Sequence, residues 1–277
     1  MTSAGTAAER GFPDIGLSTV SEMGFQAQRR VNLRLDTTAL IAMVYKGDPI
    51  TAPAGLHGGC YELFATNRVR TIRHLKRKTI STISKDSGRY VFFISMLASV
   101  GLDPRTDVTL LELSPTESMQ RLADGQVDAF MASPAEPQEL RAKQIGHVLV
   151  DAQTDRPWSH YFCCTLVGSR AFVQRCPVAS KRWLRTVLKA ANGCALEPDH
   201  VTQALVDKDY TIQYDAALQA IKEIPYAQWH EYDPEDSVRF YALRLHEAGM
   251  LKSSPQKLIA QGTDWCLRNE LKRELKG

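Results

Sequence analysis

Residues 35–64 read LDTTALIAMVYKGDPITAPAGLHGGCYELF, and their punctuation decides the architecture. Thr38 to Lys46 carries apolar residues at three-and-four spacing, which predicts a helix. Gly47-Asp48-Pro49 then breaks the chain, because proline can neither continue a helix nor donate its hydrogen bond. Ile50 to Leu56 follows as a short apolar run and predicts a strand ending in His57-Gly58-Gly59-Cys60. With Val31 to Asp36 read as a strand ahead of the helix, the stretch is one strand-helix-strand unit. Repeated units of this kind build an α/β fold with mainly parallel sheets flanked by helices.

The units continue on both sides. Asp14 to Ser21 reads as a strand and Glu22 to Arg30 as a short helix. Downstream, strands are expected at Lys78 to Ile83, Val108 to Leu113, Val127 to Ala132 and His147 to Val150. Helices fall between them at Arg89 to Val100, Pro115 to Asp124 and from Ser133-Pro134-Ala135-Glu136 to Lys143. The polar segment Asp151 to Ser159 reads as a crossing between bodies. After a strand at Tyr161 to Val167 the pattern is almost wholly helical, at Pro177 to Leu196, Pro198 to Lys208, Tyr214 to Ile224, Pro234 to Ala248 and Pro255 to Leu275. Strands in front and helices behind predict a first lobe at 1–83, a second at 84–157, and a return to the first lobe with a helical tail at 158–277.

Composition narrows the function. Lys and Arg number 34 against 31 Asp and Glu, a net charge of +3 that is too even for a nucleic-acid or anionic-membrane surface. The basic run Arg68 to Lys78 has no interleaved aromatic platform and reads as a solvated turn between two strands. No stretch is long and apolar enough to span a membrane, and Met1 to Arg10 has no apolar core of the kind a secretory signal needs. The six cysteines lack metal-knuckle spacing, so most are expected as buried thiols. In a strand, neighbouring residues face opposite sides. His160, Cys163 and Cys164 therefore predict no metal site, and no cofactor is indicated.

In an open α/β sheet the ligand sits beyond the carboxyl ends of the strands. Thr37 and Thr38, Gly58, Gly59 and Cys60, Ser87, Gly88 and Arg89, Ser133 and Glu136, and Trp158 all fall on such ends or on the crossing. Thr37 and Thr38 bring two hydroxyls that either touch a ligand or cap a helix. Gly58-Gly59 admits close backbone approach or forms an ordinary turn. Ser87-Gly88 opens a helix whose N–H groups suit an anion, unless Ser87 is only its cap. Arg89 offers a fork to a carboxylate or sulfonate, or points to solvent. Glu136 matters if the ligand carries an amine, and otherwise simply suits its helix N-terminus. Trp158 either stacks on a flat ligand or seals the hinge. Cys60 is a cleft-wall residue or a buried small one, and His57 a strand-end hydrogen bonder.

The run 35–64, with its "GDPI" and "GLHGGCYELF", resembles the third strand, third helix and fourth strand of the NMT1/THI5-like and SsuA-like substrate-binding proteins of ABC transporters. Residues 74–113, "HLKRKTISTISKDSGRYVFFISMLASVGLDPRTDVTLLEL", are similar to that family's entry into its second lobe. "ESMQRLADGQVDAFMASPAEPQEL" at 117–140 and "HEYDPEDSVRFYALRLHEAGMLKSS" at 230–254 resemble its binding-loop approach and its closing helices. The resemblance implies a two-lobed type II periplasmic-binding-protein fold. Such a protein holds a small sulfonate, nitrate-like anion or pyrimidine precursor between hinged lobes and delivers it to ABC permease subunits, and a periplasmic monomer suits that shuttle.

The same resemblance implies that a first strand and helix, and the export signal before them, are missing ahead of Ala7. The branch that makes the thiamine pyrimidine uses a cysteine-rich run with a central phenylalanine. The nearest text here, "HYFCCTLV", lacks it, so a synthase activity is not carried over. An enzyme like that synthase and a truncated, non-binding relative are the two alternatives to the receptor.

Overall fold

The computed structural model describes residues 37–84, 87–210 and 213–275. The expected strand at 14–21, helix at 22–30 and strand at 31–36 lie outside them. The first helix, α1 (Thr37–Lys46), leads into β1 (Ile50–Gly58), which is buried along its whole length. β1 pairs antiparallel with β7 (Phe162–Ser169), far along the chain. The other strands are β2 (Glu62–Ala65), β3 (Thr79–Thr82), β4 (Thr109–Glu112), β5 (Ala129–Ala132) and β6 (His147–Asp151). They form one five-stranded sheet in the order β4-β3-β5-β2-β6.

That sheet corrects one expectation. It is mixed rather than mainly parallel, because β3 pairs parallel with β4 and β5 while β2 lies antiparallel between β5 and β6. Strands β2 and β6 are the entry and exit of the sheet, and a chain that comes in and returns at one edge must run both ways. The chain passes from the two-stranded to the five-stranded sheet at residues 59–61, between β1 and β2. β2 has only four residues, too short for alternation to announce it.

Between the strands run α2 (Gly88–Ser99), α3 (Pro115–Ala123) and α4 (Glu136–Ala142). Helix α2 is buried from Val91 to Leu97 and so sits between layers rather than on the surface. The tail is α5 (Arg170–Arg175), α6 (Pro177–Leu196), α7 (Pro198–Asp207), α8 (Tyr214–Glu223), α9 (Pro234–Glu247), α10 (Pro255–Gly262) and α11 (Cys266–Glu274). Five of these eleven described helices, α3, α6, α7, α9 and α10, begin on proline, whose fixed φ suits a first turn and whose missing N–H costs nothing there. Ser114, Asp233 and Ser254 cap three of them with side-chain oxygens. The helix expected across 255–275 is two, since the backbone leaves the helix at Thr263 to bridge Ala52 and Asp264 N–H donates to Ala52 O at 3.0 Å.

One large apolar core runs from Leu40 to Leu271 and takes in both sheets, while a smaller one around Phe64, Met119 and Phe130 lies under α3 and α4. Phe92 on α2 packs against Trp158, Tyr61 and Tyr241, with ring centroids 5.1 to 5.7 Å apart, and Trp158 meets Phe240 edge-on. This aromatic group joins α2 to α9 where the chain crosses between sheets. The basic run lies mostly in solvent as expected, with Arg68 held by Asp128 and Lys76 by Asp107, while Val69 and Leu75 pin it to the core.

Candidate functional site

The N-termini of α1 and α2 meet. Thr38 Oγ1 donates to Gly88 O at 3.1 Å, so a helix packed on the two-stranded sheet and a helix of the five-stranded sheet present their first turns to one place. The leading N–H groups of a helix have no carbonyl of their own, and they carry the positive end of its dipole. At α2 the Ser87 hydroxyl accepts from Tyr90 N–H at 3.1 Å and donates to Ser84 O at 2.6 Å. Ser87 is therefore the cap of α2, at the mouth of this junction.

Thr37 faces the other way. Its hydroxyl is fully buried, donates to Phe162 O at 2.8 Å and lies 2.5 Å from the Thr165 hydroxyl, fixing α1 to β7. Arg89 does not point to solvent, and its fork sits on Glu136, with Nη1 to Oε2 at 2.8 Å and Nη2 to Oε1 at 3.2 Å. It also donates to Met131 O and to the Ser133 hydroxyl. Glu136 Oε2 accepts from Ser133 N–H as well, at 2.8 Å. Burial pushes the Glu136 carboxyl above its ordinary value, against the pull of Arg89. Arg89, Ser133 and Glu136 thus form a closed knot joining α2, β5 and α4.

Close approach demands glycine at 59, where the opposing atoms are backbone, whereas at 58 they are the end of the Tyr232 side chain. A Cβ on Gly59 would stand 2.1 Å from Ala152 O, and one on Gly58 would stand 2.8 Å from the Tyr232 hydroxyl oxygen. Ala152 N–H donates to Tyr61 O at 3.0 Å, so the outgoing and returning crossings are bonded backbone to backbone. Trp158, buried between Phe92 and Phe240, seals that crossing from the side.

Cys60 is buried with Cys163 and Cys164, its sulfur 2.7 Å and 3.8 Å from theirs. Two adjacent strand residues should face opposite ways, yet both sulfurs turn toward Cys60. The ladder explains it: His57 pairs with Cys164 and Gly58 with Phe162, leaving Cys163 as the extra residue of a bulge. Burial raises the Cys163 thiol well above its ordinary range and lowers the His57 imidazole, while the contacts with Cys163 and Cys60, added to by burial, raise the Cys164 thiol well above its range too. None of the six cysteines forms a disulfide, and Cys176 and Cys266 are exposed.

Arg141 on α4 carries no signal in the sequence. Its guanidinium donates to Glu62 on β2 at 2.6 Å and to Glu223 on α8 at 2.7 Å, and Gln138 reaches Glu223 too, at 2.7 Å. These contacts tie the five-stranded sheet to the helical tail. The partners lie 79 to 85 residues apart, beyond any local pattern.

The NMT1-like family matches residues 4–206. No curated protein matches the chain. Among solved structures, it is similar to the putative sulfonate ABC transporter periplasmic sulfonate-binding protein SsuA from Methylobacillus flagellatus KT, at TM-score 0.66 and 16% identity, covering 96% of this chain and 81% of that one. It is also similar to the periplasmic nitrate-binding protein NrtA from Synechocystis PCC 6803, at TM-score 0.68 and 13% identity, covering 97% and 78%. A mutant of DszB in complex with biphenyl-2-sulfinic acid has TM-score 0.58 at 14% identity, covering 96% and 95%. With well over half its length matched, this chain belongs to the NMT1-like family and has the periplasmic-binding-protein fold.

Proposed function

We propose that the protein is the solute-binding component of an ABC-type importer. It takes a small polar or anionic organic molecule, of the sulfonate, nitrate or pyrimidine class, at the junction of α1 and α2. The observation that carries this reading is the Thr38–Gly88 contact, where two helix N-termini from the two sheets converge at a backbone-bonded crossing. An anion or carbonyl there is met by N–H donors that need no side-chain charge. Thr38, Ser87 and Gly88 are the contacts, while Thr37, Gly58, Gly59, Cys60, Arg89, Ser133, Glu136 and Trp158 shape and hold the walls. The fold shared with sulfonate- and nitrate-binding proteins supports the solute class and delivery to permease subunits in the periplasm, a task that suits a monomer. Binding rather than catalysis is favoured by Cys163, which burial keeps protonated, by Cys164, which its contacts with Cys163 and Cys60 and its burial keep so, and by His57, which burial keeps neutral.

Thermal unfolding against small sulfonates, nitrate-like anions, pyrimidines and aromatic acids tests this. One compound class should raise the transition as its concentration grows, since only binding to the folded form does so. A cooperative transition that no compound moves argues against the receptor reading.

A further inference from the structure

We propose that His57, Cys60 and Cys164, with Cys163 at their side, form a binding site for one thiophilic dication of the zinc group. The site shares Cys60 with the wall of the solute junction and takes its other ligands from β1 and β7.

The observations are geometric. One ligand atom from each of His57, Cys60 and Cys164 lies within 4.8 Å of the other two, and all three residues are buried. Two thiolates on one tetrahedral zinc, each at about 2.3 Å, stand roughly 3.8 Å apart. Cys60 and Cys164 stand 3.8 Å apart. Cys163 lies 3.9 Å from Cys164 but only 2.7 Å from Cys60, nearer than two sulfurs on one ion. It becomes the fourth ligand by swinging about 1 Å away from Cys60.

His57 is set for the part. Its Nδ1 faces Gly58 O at 2.8 Å, and a proton there leaves the lone pair on Nε2. A histidine whose second nitrogen donates to a backbone carbonyl is the usual arrangement around a metal. Tyr226 packs edge-on against the imidazole, with ring centroids 5.1 Å apart, and holds its plane.

The fold itself assembles the set. His57 ends β1, Cys60 lies in the outgoing crossing, and the other two cysteines begin β7 more than a hundred residues later. The bulge at Cys163 is what turns two neighbouring thiols to one side. An ion there would cross-link the segments that join the two sheets, each thiol releasing its proton to solvent as the bond to metal forms.

The test uses the full chain, reduced and then refolded with one equivalent of zinc or cadmium so that burial does not block entry. The expected result is one ion retained per chain after desalting, with a thiolate-to-cadmium absorption band and X-ray absorption showing two or three sulfurs and one nitrogen around zinc. Cys60→Ser and Cys164→Ser should each weaken affinity at least tenfold, and Cys176→Ser/Cys266→Ser should leave it unchanged. The wild-type spectra need no variant to fold. No retained ion, an oxygen-only shell, affinity unchanged in both buried variants, or a Cys60–Cys163 disulfide formed in the presence of stoichiometric zinc would each overturn the proposal.

Discussion

Arg89 Nη1 and Glu136 Oε2 lie 2.8 Å apart with side chains 10% and 14% exposed, and each has further hydrogen bonds within the same knot. A buried pair of this kind adds little over an apolar one, but removing one partner strands the other. Glu136→Ala should therefore lower stability by about 3 to 5 kcal/mol in urea unfolding. A cost under about 1 kcal/mol would mean that Arg89 finds water when its partner goes.

The raised Glu136 carboxyl sets the direction of a pH effect. In the window between the ordinary carboxylate value and the raised one, the folded chain holds a proton that the unfolded chain has lost. This group's contribution to stability therefore falls as pH rises through that window. Glu136→Gln, measured by urea unfolding across the acid range, should flatten the decline. An unchanged slope would assign it to another carboxylate, with Glu62 the first alternative because burial raises it too.

Two glycines give opposite outcomes. Gly59→Ala drives a Cβ into Ala152 backbone, which has no flexible end to yield, so the variant should lose several kcal/mol or fail to fold. Gly193→Ala, inside α6 with nothing within 4 Å of the new methyl, should gain about 0.5 to 1 kcal/mol from helix propensity alone. Thermal melts of the two variants read the contrast directly.

Arg141 is 34% exposed, but one of its partners, Glu62, is only 3% exposed. Arg141→Ala should cost about 3 kcal/mol, mostly from the buried carboxylate left behind. Glu223→Gln keeps the Glu62 pair and removes only the charge of the link to the tail. It should change solute affinity more than stability if the link helps hold the sheet and the tail together around a ligand. Calorimetric titration and melting of the same sample separate the two effects.

Trp158→Ala removes a ring packed on Phe92 and Phe240. The cost should fall on stability, about 3 to 5 kcal/mol, with the ranking of bound solutes unchanged. A changed ranking would bring the indole to the ligand instead.

The elements most legible in the sequence were those with local markers. Proline starts and three-and-four apolar spacing placed the tail helices from 177 to 247 almost to the residue, and Ser87-Gly88 placed the start of α2, while the break at Thr263 went unread. What escaped depended on distance along the chain. Strand β2 has four residues and is defined by partners near residues 130 and 150. Arg89 read as a free fork because Glu136 lies 47 residues on. Cys163 and Cys164 read as facing apart because a bulge is a property of two strands, and its partner on β1 is more than a hundred residues earlier. The sequence reading put the proposed wall residues at strand ends, helix starts or, for Trp158, on the crossing, and could not say which way each side chain turned.

The central claim is that a solute is held where α1 and α2 meet, and Thr38 is the side chain that joins them. The most direct test is calorimetric titration of the best stabilising compound into wild type and Thr38→Val. The account predicts one site per chain in wild type and at least a tenfold weaker affinity in the variant, whose melt in the absence of compound stays cooperative at a somewhat lower temperature. Equal affinity in the two proteins would contradict it and move the solute site away from this junction.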